Sequence, residues 1–277
     1  MNFRTQLIYD RLSLLALNMF RWEGLPDTIQ ERHIEKAFFK QGKAVVFDHE
    51  DFGLICLPCD FSSGLNIYGE PNYVIATGHA FNRTLSKKNA AVGYNNDLAT
   101  PTEPYIRLYA QRMGEVDFSI DINIRQQRIP YIVETSKNNK LSMELIFKQI
   151  LDEGKNVVYA NKDLGLNNSS VITLNSPYVA DKLNTYKYDL EREILTFLAL
   201  NNTVEKKERL LVDEVNSNND YIERNADIMY KNRVDFANEI NKKFGTNIKV
   251  HRANDLLRQR YQASENGEEI EEVNVNE

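Results

Sequence analysis

Several things are scarce in this chain, and each scarcity narrows the reading. The 277 residues include only two cysteines, too few for a disulfide scaffold, so the chain reads as one formed in a reducing compartment. No run approaches the ~18 apolar residues that a membrane span requires. The Leu-rich stretch Leu12–Met19 is short and directly preceded by Asp10 and Arg11. Bulky or charged Phe20, Arg21, Trp22 and Glu23 stand where an export signal has small residues, so this stretch reads as packed helix. Positive charge is also short: 34 Lys+Arg face 40 Asp+Glu, a formal charge of −6. That balance argues against a protein that coats nucleic acid through bulk positive charge. The deficit is localised, because no Lys or Arg follows Arg260, whereas Glu265, Glu268, Glu269, Glu271, Glu272 and Glu277 do. Residues 1–261 therefore carry 34 acids and 34 bases. Hydrophobic residues at 42% and aromatics at 10% are too abundant for a disordered chain. The length suits one large domain or two smaller ones.

Familiar catalytic motifs are missing as well. Gly42-Lys43 and Gly154-Lys155 continue into Ala44 and Asn156, without the Ser or Thr and the earlier glycine of a phosphate-cradling P-loop. There is no HExxH or GxSxG, and the four histidines stand singly. Cys56-Leu57-Pro58-Cys59 is the sharpest enzyme-like signal. A redox pair of this spacing needs a helix N-terminus to lower a thiol pKa. Here a strand pattern precedes it, and Asp60, Phe61, Ser62, Ser63 and Gly64 begin no helix. As half a zinc site it lacks a second Cys/His pair, with His49 and His79 as lone candidates. Structural thiols are the favoured reading, and a CxxC thiol or zinc-binding α/β enzyme is the alternative. Asp117 and Asp121 read as part of a solvated helix face.

What is present is an alternation of helical and extended patterns. Residues 3–20 read as a helix stopped by Gly24 and Pro26; Asp27 or Thr28 then caps a second helix that ends at Gly42. From Lys43 to Val92, runs at 44–47, 53–57, 73–76 and 90–93 predict a small sheet. Tyr94-Asn95-Asn96-Asp97 opens a loop, and Thr102 caps a long helix to about Gln127. An α/β insert follows: strand 131–135, helix 141–151, and strands 156–160 and 170–174. A second long helix spans 177–200. Its seam of Val179, Leu183, Tyr186, Leu190, Ile194 and Phe197 is one narrow stripe. Asp181 lies on the opposite face, and Lys182, Asp189 and Glu193 share a flank. Residues 201–219 mix charges with Asn and Ser and read as a mobile loop. Ile222, Ala226, Met229, Phe236, Ile240 and Phe244 mark a last helix capped by Gly245. Asn247–Val250 reads as a terminal strand, and the tail after Tyr261 reads as disordered.

In order along the chain stand Trp22-Glu23-x-Leu25-Pro26-x-Thr28-Ile29, Tyr94-Asn95-Asn96-Asp97 with Pro101-Thr102-x-Pro104, and Leu141-Ser142. Next come Pro177-Tyr178-Val179-x-Asp181-Lys182-Leu183-Asn184 and Thr196-Phe197-Leu198. Glu205-Lys206-Lys207-Glu208-Arg209, Asp213-Glu214-Val215, Ile240-Asn241, Gly245, Asn247 and Lys249-Val250 complete the set. With these motifs the chain resembles the upper collar proteins, the head–tail connectors or portals, of small podophages of the phi-twenty-nine type. The resemblance runs from about residue 20 to 250.

It implies an α+β portal fold, a dodecameric ring at a capsid vertex of the virion, assembled in the host cytoplasm, with double-stranded DNA passing through its centre. Residues 1–103 and 220–261 would form the wing, and 104–127 and 177–201 the stem helices. Residues 128–176 would form the clip, 202–219 a channel loop, and 262–277 an acidic tail. The implied channel wall carries Lys182, matching a lysine ring of the family, beside Asp181, Asp189 and Glu193. A second ring of the family would fall near the uncharged Thr173. The channel loop would present Glu205, Lys206, Lys207, Glu208, Arg209, Asp213 and Glu214. Implied partners are the major capsid protein, a lower collar or tail protein and a separate packaging ATPase. No cofactor, metal or catalysis is implied. The family's basic N-terminal arm for a packaging RNA is missing, since Arg4 and Arg11 are the only bases in the first eleven residues.

Overall fold

The computed structural model describes residues 2–62, 64–128, 131–134, 148, 170–173, 177–200, 212–253 and 255. Its contacts divide the chain into two units, one of Met1–Glu115 with Lys187–Glu277 and one of Val116–Tyr186.

The first unit opens with helix α1 (Phe3–Leu17), capped by the Asn2 side chain, which accepts from the Thr5 N–H at 2.8 Å. The expected helix over 3–20 is three residues too long. Phe20–Glu23 instead forms strand β1, paired antiparallel with β9 (Lys249–Arg252) from Phe20↔Arg252 to Glu23↔Lys249. Alternation explains it: Phe20 and Trp22 are buried while Arg21 and Glu23 are exposed, a period of two that no helix offers. The C-terminal strand is therefore real but lies two residues beyond the expected 247–250.

Helix α2 (Glu31–Gln41) starts at Gln30, not at Asp27 or Thr28. The Gln30 N–H donates to His33 Nδ1, and the Gln30 carbonyl accepts from the His33 N–H at 2.8 Å. Thr28 instead spends its hydroxyl on the Leu54 carbonyl. Gly42 ends α2 as expected; its φ of 72° is left-handed, where a side chain is strained.

Five antiparallel strands follow: β2 (Lys43–His49), β3 (Gly53–Phe61), β4 (Tyr73–Gly78), β5 (Phe81–Ser86) and β6 (Ala90–Tyr94), in the order β5-β4-β3-β2-β6. The edge strand β5 escapes the sequence pattern because Asn82, Arg83 and Thr84 are exposed and only Leu85 and Phe81 lean on the sheet. One face of the sheet buries Val45, Phe47, Cys59, Val74, Ala76, Ala90 and Val92. The interior strand β2 is buried on both faces, which is why Ala44–Phe47 reads as a continuous apolar run.

Helix α3 (Glu103–Arg128) begins after Thr102, as expected, and α4 (Ala180–Phe197) matches the second long helix within three residues at each end. The last helix, α5 (Val212–Phe244), starts ten residues before Ile222. Val212–Asn219 is thus helix, not the expected loop. The spacing was visible: Val212, Val215, Asn219, Ile222, Ala226, Met229, Arg233, Phe236 and Ile240 step by three and four without a break. Asn219 and Arg233 interrupt its apolar character, not its period. In the second unit, β7 (Tyr131–Glu134) pairs antiparallel with β8 (Ser170–Thr173), close to the first and last strands expected for the insert. Lys148, within the expected helix 141–151, is helical; the other residues of that helix, strand 156–160, loop residues 201–211 and the tail after 261 lie outside the described residues.

Candidate functional site

The candidate wall is α4. In the first unit its C-terminal half packs through Leu190, Ile194 and the following Leu198, all fully buried. The Phe197 ring stacks on Tyr105 of α3 with centroids 4.6 Å apart, and Arg11 of α1 meets Glu191 at 2.7 Å. In the second unit, the buried Asn123 of α3 holds the start of α4. Its Nδ2 donates to the Pro177 carbonyl at 2.9 Å, and its Oδ1 accepts from the Val179 N–H at 3.0 Å. Asn123 stabilises the helix start by satisfying an orphan N–H, a role that its place in the sequence does not announce.

All four expected wall residues are exposed. Asp181 receives the Tyr178 hydroxyl at a long 3.4 Å. Asp189 lies 3.8 Å from Arg192, one turn on. Glu193 accepts from the Tyr109 hydroxyl at 3.0 Å. Lys182, Asp189 and Glu193, spaced by seven and eleven residues, fall on one face of the continuous helix. The seam is buried unevenly: Leu190 and Ile194 are fully buried, but Tyr186 is 44% exposed. Of the loop residues, Glu205, Lys206, Lys207, Glu208 and Arg209 lie outside the described residues. Asp213 and Glu214 lie within α5.

At the other end of the wall, Glu103 opens α3. Burial pushes its carboxyl up, but hydrogen bonds from Arg107 and Tyr9 outweigh that and hold it below the usual carboxylate range. Burial and the bond to Glu103 raise the Tyr9 hydroxyl. These contacts anchor α1 to α3.

The CxxC is resolved by strand geometry. Cys56 pairs with Val46 and Cys59 with Ala76 on β3, and a three-residue spacing on a strand directs side chains to opposite faces. Cys59 sits in the sheet core and Cys56 on the α2 side. Burial raises the Cys56 thiol far above its ordinary value and pushes Cys59 up to about 12, the reverse of a reactive pair. Among the described residues no three His, Cys, Asp or Glu side chains gather as a metal site.

A buried cluster of charge went unread in the sequence. Arg233 of α5, 3% exposed, donates to both carboxylate oxygens of Glu35 at 2.9 and 2.7 Å and to Asn95 Oδ1 at 3.2 Å. Trp22 Nε1 donates to the same carboxylate at 2.9 Å. The guanidinium lies 4.1 Å from the Phe20 ring centroid and 4.9 Å from that of Phe38. The available signal was a charged residue at a seam position, midway between Met229 and Phe236.

These features define a class: an α+β assembly protein whose long helices present exposed faces of mixed charge. The family model described as Phage Connector (GP10) matches residues 2–257, and the chain belongs to that family. It is a phage connector protein, and its place is the head–tail junction of the virion. Among solved structures, the virion of a native gene transfer agent particle shares this fold with a TM-score of 0.50 at 9% identity, covering 94% of this chain and 84% of that one. A chain of the portal and tail of native bacteriophage P68 is similar at TM-score 0.48 and 15% identity, covering 95% and 92%. An HK97-family phage portal protein from Corynebacterium diphtheriae is similar at TM-score 0.48 and 9% identity, covering 92% and 97%.

Proposed function

We propose that twelve copies of this chain close into a ring of the phi-twenty-nine type, with α3 and α4 as stem and residues 128–176 as clip. Double-stranded DNA passes through the centre during packaging and ejection. The observation that carries this reading is the exposed apolar surface of α3. Leu108 is 51% exposed and Phe118 50%, on a helix whose Ile106, Ala110 and Met113 are fully buried. Apolar residues left outside a helix that already packs on its own chain offer surface for a second copy to cover.

The wall supplies no chemistry. A conduit must centre DNA without holding it, and every phosphate neutralised by Lys or Arg adds affinity that slows sliding. Lys182 among Asp181, Asp189 and Glu193 makes a sparse positive ring in a largely repulsive wall. Lys206, Lys207 and Arg209 grip transiently, limited by Glu205 and Glu208, and so act as a valve against slippage of packaged DNA. Energy comes from a separate packaging ATPase. The major capsid protein contacts the wing, and a lower collar or tail protein the clip end.

Native mass measurement tests the ring. Twelve chains of 32.1 kDa give roughly 385 kDa, the mass of a closed cyclic assembly. Monomers or dimers at micromolar concentration would overturn it. Deleting residues 203–210, short of α5, is expected to leave the ring intact and yield capsids that lose DNA; stable, filled capsids from that variant would sink the valve.

A further inference from the structure

A groove of about 430 Å³ lies between α2 and β3. Its floor is apolar, made of Ala37 from the helix and Cys56 and Pro58 from the strand, while the Ile55 and Leu57 side chains turn to the sheet core on the other face. Its rim is basic: Lys36 and Lys40 stand one turn apart, with His33 a turn earlier. Burial lowers the His33 pKa, and the positive field of Arg32 and Lys36 lowers it further. The acids of α2 do not offset this charge. Glu35 is turned inward to Arg233, and Glu31 is engaged by Arg21 at 2.6 Å and by the Trp22 N–H at 3.0 Å. Among the described residues Lys36 and Lys40 have no ion-pair partner, although Lys40 lies in the field of Glu103.

The sequence contains a segment of complementary chemistry. Residues 265–277 hold six glutamates and no base, with Ile270 set between Glu268-Glu269 and Glu271-Glu272. The reach is sufficient. Arg252 pairs with Phe20, and two residues on, the Trp22 N–H bonds Glu31 in the first turn of α2. The groove extends along a helix about 16 Å long; Ala253 and Asp255 are helical, and the nine residues from Leu256 to Ser264 span up to ~30 Å.

We propose that the acidic tail of the same chain docks in this groove, Ile270 entering the apolar floor while the flanking glutamates meet Lys36 and Lys40. The docked tail neutralises the positive patch on this face of the molecule and keeps acidic or nucleic-acid partners off it. This docking does not depend on the ring or on the channel.

Competitive acetylation of the full chain with an N-hydroxysuccinimide ester reads it out. Lys36 and Lys40 are expected to react at least three-fold more slowly than in a chain ending at Tyr261, whereas exposed Lys231 reacts equally in both. Ile270→Asp, which keeps every tail charge, is expected to remove most of the protection. Glu268→Gln/Glu269→Gln/Glu271→Gln/Glu272→Gln is expected to remove it as well. Zero-length carbodiimide coupling of a mixture of light- and heavy-isotope chains is expected to join Lys36 or Lys40 to tail glutamates within one chain. Equal acetylation in the full and shortened chains, or protection that survives Ile270→Asp, overturns the proposal. Coupling confined to light–heavy pairs overturns it too, because the occupant is then a neighbour's tail.

Discussion

Helices carry charge in two regions of this protein, and they use it in opposite ways. Around Arg233 the charge is inside: 3% and 2% exposure for Arg233 and Glu35, two short ion-pair contacts, and further bonds to Asn95 and from Trp22. Along α4 the charge is outside, and the contacts of Asp181 and Asp189, at 3.4 and 3.8 Å, are ones that solvent screens. A buried ionic group with all its partners admits one arrangement of α2, α5, β1 and the loop at Asn95, because any slip leaves a charge unpaired in low dielectric. Exposed charges fix no arrangement; they set a field. The apolar residues are inverted too. Phe20, Phe38 and Phe236 are sealed inside the first region, while Leu108 and Phe118 of α3 face outward. The first region thus specifies the subunit, and the second is left for what the subunit meets.

The contrast breaks hardest at Arg233. Arg233→Met leaves the Glu35 carboxylate buried without its cation, and a loss of about 3–5 kcal/mol is expected. Denaturant unfolding measures it. The double variant Glu35→Leu/Arg233→Met removes both charges and is expected to recover more than half of that loss. If the double variant is as unstable as the single, packing and not the orphaned charge accounts for the effect. A smaller break lies at Gly93, opposite Ala44 on the sheet. A Cβ there would stand 2.3 Å from the Phe236 ring, which Trp22 and Phe38 hold edge-on at 6.3 and 5.7 Å. With its neighbours unable to yield, Gly93→Ala is expected to cost about 1–3 kcal/mol by overpacking. An unchanged denaturation midpoint would show that Phe236 has room to move.

On the outer side, Leu108→Glu sharpens the comparison by separating subunit from assembly. The residue is half exposed, so the folded subunit is expected to keep its stability within about 0.5 kcal/mol. The ring is not: a carboxylate forced into an apolar subunit contact has no partner there. Sedimentation should show the high-mass species lost while the circular dichroism melt is unchanged. Full assembly at wild-type concentration would place the subunit contact elsewhere.

What could be read from the sequence follows the same division. Elements whose faces alternate cleanly in polarity were legible: α2 to Gly42, β2, α3 and α4 stand close to where period and capping put them. The failures occur where tertiary partners override the local signal. β1 is a strand only because β9 lies beside it, and β5 is a polar edge that hydrogen-bonds to β4. The start of α5 was missed because Asn216, Ser217, Asn218 and Asn219 favour caps and turns as isolated residues. A 33-residue helix tolerates them when its stripe continues on either side. Among the wall residues, sequence alone gave Lys182, Asp189 and Glu193 a common face, since helical spacing determines that. It could not give Tyr109 as the partner of Glu193, a contact 84 residues distant in the chain. Nor could it give Arg233 a carboxylate 198 residues away.

The smallest effect is expected at Lys182, and it is the sharpest test of how an exposed charge behaves here. Its side chain is exposed and without an ion pair among the described residues, so Lys182→Ala removes a solvated cation and little else. Single exposed charges are worth about 0–1 kcal/mol, and stability is expected to stay within about 0.5 kcal/mol. On the channel reading proposed above, its effect on DNA follows from the wall as well. One cation per subunit, facing Asp189 and Glu193 along the same helix face, adds only a small term to the phosphate attraction, and that term is weaker still at physiological salt. Packaged DNA per capsid is therefore expected to be near normal, with any deficit confined to low ionic strength. A severe packaging block at ordinary salt would mean that this one ring grips DNA directly, and the outer charges would then be as specific in their task as the buried pair at Arg233.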